Sequence, residues 1–193
     1  MKVSVLILFF IINIFHISSS YGQVNSSLLG LKLNTAENTV FNLSDLKNSK
    51  ATVLIFFLTD CPASQNYTLT IKKLHKKYSA GNISFDIVFP DTYSSPEEVR
   101  KFMTDYKLSL PALMDTELTL TKLLKASVAP QCFLLDSKGN IIYDGRIDDW
   151  YYKPGKKRTV ILSNDLDNAI SNFLAGKIIE PAKTTPVGCI INY

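Results

Sequence analysis

Between Thr52 and Leu58 the chain is almost continuously apolar, rich in β-branched and aromatic residues, and it ends at Thr59-Asp60-Cys61-Pro62. A run of that length and composition suits a strand buried on both faces of a sheet. Past Pro62 the apolar period changes, with Tyr67, Ile71, Leu74 and Tyr78 forming one stripe of an amphipathic helix. Proline fits the first helical turn, where a missing N–H costs nothing. The sequence therefore predicts a central strand that delivers Cys61 to a helix N-terminus. Unpaired amides and the positive end of the helix dipole favour the thiolate form of a cysteine placed there.

The rest of the chain supplies partners for that strand. Gly81-Asn82 ends the helix, and Ile83 to Phe89 predicts a second buried strand. Ser95-Pro96-Glu97-Glu98 is a capping box opening a helix with Val99, Phe102, Met103 and Tyr106 inside. Leu110 to Met114 reads as a short extended piece and Leu118 to Leu124 as a short helix. Val128 to Asp136 reads as a strand opening with Ala129-Pro130, and Ser137 to Asn140 turns it into a hairpin with Ile141 to Tyr143. Ser163 or Asn164 caps a last helix with Leu166, Ile170 and Phe173 inside, closed by Gly176. Upstream, Leu29 to Leu33 and Val40 to Leu43 read as a hairpin packed beside the main sheet, followed by a turn at Ser44 to Lys47. Together these elements predict an α/β fold with a mixed central sheet flanked by helices.

The N-terminus carries Lys2, an apolar stretch from Val3 to Ile17 and a small-polar exit ending at Gly22. These are the parts of a secretory signal peptide. The stretch is shorter than the roughly 20 residues of a spanning helix and contains Asn13 and His16. The expected organisation is a signal peptide over 1–22, one domain over 23–176 and a C-terminal tail over 177–193. Cleavage removes Lys2 and no acid, taking the net charge of +4 to +3. That is too small an excess to suggest nucleic acid, and Lys72, Lys73, Lys76 and Lys77 read as a solvated helix face. Cys61, Cys132 and Cys189 all remain, and three thiols in an oxidising compartment leave at least one outside an internal bridge.

The order of elements, the cysteine between core strand and long helix, and Val128-Ala129-Pro130 ahead of the hairpin resemble a thioredoxin-like fold over Leu29 to Ala175. The N-terminal segment resembles the redoxin group, which includes peroxiredoxins and thiol oxidoreductases. Tyr143-Asp-Gly-Arg-Ile-Asp-Asp149 and Gly188-Cys189-Ile resemble secreted bacterial redoxin-domain proteins. The resemblance implies a periplasmic thiol–disulfide oxidoreductase acting on protein thiols, with no organic cofactor and with Pro130 as a cis-proline facing the sulfur. Two departures stand out. Ser64 replaces the second cysteine of a Cys-x-x-Cys motif and cannot resolve a mixed disulfide. A peroxiredoxin carries threonine three residues before its cysteine and an arginine beside it, whereas Thr59 is two before and Ala129-Pro130 offers no arginine.

Cys61 is the candidate nucleophile, open to attack on a disulfide or oxidation to sulfenic acid. Cys189 lies in a polar tail and is the expected resolving partner, with Cys132, on an apolar strand, the alternative. His75 sits 14 residues beyond Cys61, about 21 Å along a continuous helix, and cannot serve it as a base. One histidine in the mature chain also argues against zinc. Asp60 precedes the cysteine and would oppose its ionisation. The segment Gly145 to Tyr152 is dense in charge and aromatics, with Arg146 expected to pair with Asp148 or Asp149, or the segment to recognise a substrate or seat the tail. Two readings of other classes stand beside oxidoreductase: a non-catalytic module binding a protein or Cu(I), and a permanent Cys61–Cys189 staple.

Overall fold

The apolar run becomes β3 (Ala51–Phe56), every residue of it buried. It lies at the heart of the sheet because both its edges are paired. On one side β4 (Ile83–Phe89) runs parallel to it, and on the other β7 (Gln131–Asp136) runs antiparallel. The computed structural model describes residues 26–192, so the stretch read as a signal peptide lies outside the described residues.

Beyond β4 come β5 (Ala112–Met114), parallel to it, then β1 (Lys32–Thr35) and β2 (Val40–Asn42), both antiparallel to their neighbours. Beyond β7 comes β8 (Ile141–Gly145), giving the seven-stranded order β2-β1-β5-β4-β3-β7-β8. A separate antiparallel ribbon, β9 (Tyr151–Lys153) with β10 (Lys156–Lys157), follows it in the chain. Helices α1 (Pro62–Tyr78), α2 (Pro96–Asp105), α3 (Thr119–Leu124) and α4 (Asp165–Leu174) flank the sheet. Alternate residues of β3 feed opposite layers. Val53 and Ile55 join the cluster built with Tyr67, Ile71, Val99, Phe102, Leu166 and Ile170 of three helices. Leu54 and Phe56 join the other, with Leu43, Leu46, Leu120 and Leu124. This is the expected α/β layering, and the mixed sheet is thioredoxin-like.

Several elements differ from expectation for identifiable reasons. The N-terminal hairpin extends the sheet instead of packing beside it, and residues 26–29 are helical, burying Leu28 in the second cluster. The stretch Val128 to Asp136 is two strands. Pro130 has no N–H to give a ladder, so β6 (Val128–Ala129) leaves the main sheet and pairs elsewhere, while β7 continues in it. Helix α4 starts at Asn164 without a side-chain capping bond, and the Ser163 hydroxyl turns to Asp165 instead. Acidic Asp165 and Asp167 in its first turn complement the helix dipole. The capping box of α2 forms as expected, with Ser95 and Glu98 exchanging bonds.

Asp86, a buried acid, has no counterpart in the sequence reading. Asp86 of β4 lies 1% exposed, and neither its carboxylate oxygens nor the Thr52 hydroxyl has a hydrogen-bond partner among the described residues. Burial pushes its carboxyl up to about 7, with neighbouring Ser84 acting in the opposite direction.

Candidate active site

Cys61 is the N-cap residue of α1, with Pro62 in the first turn, as the sequence predicts. The loop behind it is tied from both sides. The Cys61 N–H donates to the Leu58 carbonyl at 3.2 Å, and the Gln65 side chain donates to the Thr59 carbonyl at 3.0 Å. Ser64, fully buried, accepts the Leu58 N–H on its hydroxyl at 3.2 Å. Asp60 is exposed.

The Cys61 sulfur is bonded to Cys189, with 6.0 Å between the Cα atoms and 128 residues between the two positions. It also lies 3.2 Å from the carbonyl oxygen of Ala129, the residue joined to Pro130 by a cis peptide bond. In the bridged state that sulfur has no proton to share. As a thiol it has an acceptor waiting.

Cys189 reaches this point because the chain end is a strand. β11 (Cys189–Ile190) runs antiparallel to β6, with Cys189 opposite Ala129 and Ile190 opposite Val128. The Ile191 N–H donates to the Ser127 carbonyl at 3.0 Å, and the Ile191 side chain is 4% exposed. Upstream the segment is anchored a second time, along β8. Asp144 and the segment exchange backbone bonds through Ala182 and Thr184, and the Thr184 hydroxyl meets the Tyr143 hydroxyl at 2.6 Å and accepts the Arg146 N–H at 3.0 Å. The stretch read as a polar tail is thus held at both ends. Ile191, an aliphatic residue near the end of a polar stretch, is the signal in the sequence that it docks.

Cys132 is fully buried on β7, and its thiol donates to the Gly145 carbonyl at 3.3 Å. Burial first, then the negative charges of Asp144, Asp165 and Asp148, push that thiol well above its ordinary range, so it stays protonated. Cys132 is a core residue and Cys189 is the bonded partner of Cys61.

The charged aromatic segment also pairs otherwise than expected. Arg146 bonds Asp165 of α4 at 2.7 Å, and Asp149 bonds Arg158 at 3.1 Å. These partners are distant in sequence, and so could not be read from local spacing. Asp148 accepts the Tyr67 hydroxyl at 2.5 Å and the Trp150 N–H at 2.9 Å. The Tyr151 hydroxyl accepts from Asn66 at 2.9 Å. Asn66 and Tyr67 belong to the early turns of α1, so the segment braces the helix that Cys61 begins. Burial and the Asp148 carboxylate push the Tyr67 phenol far up, so it remains a donor. His75 is half-buried with its ring 5.7 Å from Phe85, more enclosed than a surface polar residue. Lys72 and Lys77 of the basic face are engaged by the Tyr106 carbonyl and Asp167, while Lys73 and Lys76 are exposed.

A family model described as Redoxin matches residues 23–150. The chain belongs to the redoxin family. That membership makes thiol-based oxidoreduction its kind of chemistry. This redoxin is similar in structure to a hypothetical protein from Sinorhizobium meliloti 1021, at TM-score 0.75 and 23% identity, covering 84% of this chain and 90% of that one. It is similar to an uncharacterized conserved protein from Geobacillus kaustophilus, at TM-score 0.75 and 21% identity over 86% and 90% of the two chains. A secreted Mycobacterium tuberculosis disulfide oxidoreductase homologous to E. coli DsbE superposes at TM-score 0.54 and 14% identity, over 77% and 96%. At these identities the likeness speaks for the fold. A search of the curated proteins finds no match. Two shallow depressions among the described residues, of about 230 and 350 Å³, are lined by residues such as Lys73 and Asp148 or Arg100 and Lys107, and Cys61 lines neither. No helix among the described residues is long and apolar enough to cross a membrane.

Proposed function

We propose that this redoxin is a secreted, periplasmic thiol–disulfide oxidoreductase acting on protein disulfides, with Cys61 as nucleophile, Cys189 as resolving thiol and Pro130 presenting the substrate backbone. The observation that carries this reading is the bridge between a cysteine at a helix N-terminus and one on a two-residue strand. A strand that short, held by an edge, can leave and return.

In the reduced chain the Cys61 thiolate, favoured by the α1 N-terminus, attacks one sulfur of a substrate disulfide. The substrate S–S bond breaks, its other sulfur leaves as thiolate, and a mixed disulfide forms on Cys61. The Cys189 thiolate then attacks the Cys61 sulfur, releasing the second substrate thiolate and closing the Cys61–Cys189 bridge. Two electrons have passed from the protein to the substrate. An external thiol restores the protein. Cys61 is 1% exposed and Cys189 is only half-buried, so the entering thiolate meets the Cys189 sulfur, and Cys61 departs as the stabilised thiolate. A second thiol then attacks the external sulfur of that mixed disulfide and frees Cys189.

Equilibration of the secreted protein with glutathione buffers, read by mass-spectrometric disulfide mapping and repeated with Cys61→Ser and Cys189→Ser, tests this. A midpoint above about −300 mV supports turnover. A midpoint below it identifies a permanent staple and rejects the enzymatic reading.

A further inference from the structure

The resident strand shows what the site accepts. Gly188 lies against the backbone of Ala129 and Pro130, so that a Cβ built on it would sit 2.0 Å from the Ala129 carbonyl oxygen, 2.5 Å from its carbon and 2.9 Å from the Pro130 nitrogen. These are backbone atoms of a fully buried segment, Ala129 being 0% exposed, that continues directly into the core strand β7. They cannot yield as a side chain would. The position before the bonded cysteine therefore admits glycine alone. The position after it, Ile190, is 71% exposed and touches little. The next, Ile191, is 4% exposed and joins the buried cluster that contains Leu28, Leu120, Leu124, Ala126 and Ala129. Its N–H is fixed by Ser127.

We propose that the β6 edge of this redoxin is sequence-selective, and that its substrates present an extended Gly-Cys-x-aliphatic segment in the place the chain's own Gly188-Cys189-Ile190-Ile191 holds. This deepens the oxidoreductase reading and rests on it. Main-chain bonds to Val128, Ala129 and Ser127 align the segment, the close approach at Ala129 selects glycine, and the cavity vacated by Ile191 selects the aliphatic residue. Substrate and tail occupy the edge by turns. The tail's return resolves the mixed disulfide and expels the product in one movement.

The test uses the full mature chain carrying Cys189→Ser, reduced, with short peptides whose single cysteine is blocked as a mixed disulfide with thionitrobenzoate. Cys61 attacks the peptide sulfur, the peptide–thionitrobenzoate bond breaks, and the coloured thiolate leaves. The nucleophile and leaving group are the same throughout the series, so the rate reads recognition of the peptide. A Gly-Cys-Ile-Ile peptide is expected to be captured at least about tenfold faster than Val-Cys-Ile-Ile or Gly-Cys-Ile-Asp. Gly-Cys-Lys-Ile is expected within about twofold of the first, because its changed position is the exposed one. Adding Gly188→Val to the Cys189→Ser chain pushes the tail off the edge and is expected to accelerate capture of Gly-Cys-Ile-Ile. Equal rates across the series overturn the selectivity while leaving the oxidoreductase reading in place. If Cys61 captures none of the peptides and is equally inert to small aromatic disulfides, both readings fall.

Discussion

The Ser64 hydroxyl accepts the Leu58 N–H at 3.2 Å, which closes the loop between β3 and α1 with the side chain that stands where a dithiol motif has its second cysteine. At this position the side chain supports the loop. Under the proposed function the resolving thiol is Cys189, which the structure bonds to Cys61.

Restoring the local dithiol should redirect the bridge. In Ser64→Cys, Cys61 gains a thiol neighbour one helical turn away, and disulfide mapping is expected to find Cys61 bonded to the introduced thiol at the expense of Cys61–Cys189. Ser64→Ala leaves the Leu58 N–H without its acceptor and is expected to cost about 1–3 kcal/mol in urea unfolding without changing the bridge.

Gly145 controls the other anchor of the C-terminal segment. A Cβ there would lie 2.1 Å from the Thr184 hydroxyl and 2.7 and 2.9 Å from the Thr184 backbone. Gly145→Ala should therefore push Thr184 away from Tyr143 and Arg146 and loosen the strand that carries Cys189. A loss of about 1.4 kcal/mol in docking appears as a midpoint about 30 mV more oxidising in glutathione titration. Faster amide exchange at Thr184 is the accompanying sign.

Cys132 should be silent toward alkylating reagents in the folded protein and react fully on unfolding, because burial holds it protonated and out of reach. Cys132→Ala is expected to cost about 1–2 kcal/mol of stability through the small cavity it leaves. Formation of the Cys61–Cys189 bridge, followed by mass spectrometry, should be unchanged.

Asp86 links stability to pH. Its carboxyl is pushed up to about 7 by burial, against about 3.9 in an unfolded chain. Between those values the folded state holds a proton that the unfolded state lacks, so stability falls as pH rises. The contribution is fully present below about pH 4 and is lost as pH rises through about 7. Urea unfolding over that range should show the decline, and Asp86→Asn should flatten it and raise stability on the alkaline side.

The local half of the site is legible in the sequence because its determinants are local. The apolar period over Thr52 to Leu58, the switch to helical spacing at Tyr67 and Ile71, and Pro62 in the first turn place Cys61 at the start of α1, and the structure has it there. The capping box at Ser95 is equally local and forms as read. Arg146 departs from expectation for the converse reason. Its partner Asp165 is 19 residues away on another element, and adjacent Asp148 and Asp149 are drawn off by Tyr67 and Arg158. Asp86 gives no sign in the sequence, since its burial is decided by what covers β4 and not by the strand's own residues.

By itself the sequence determined that this chain would build a layered α/β sheet and set a cysteine at a helix N-terminus, because hydrophobic period and proline position act over one or two turns of chain. Only the tertiary structure decided that Cys189 would be that cysteine's partner. Their meeting depends on Pro130 diverting β6 from the main sheet, on glycine at 188 permitting backbone contact, and on Thr184 and Ile191 docking against elements distant in sequence. Contacts across 128 residues are set by how the folded surfaces fit, and no spacing along the chain encodes that fit.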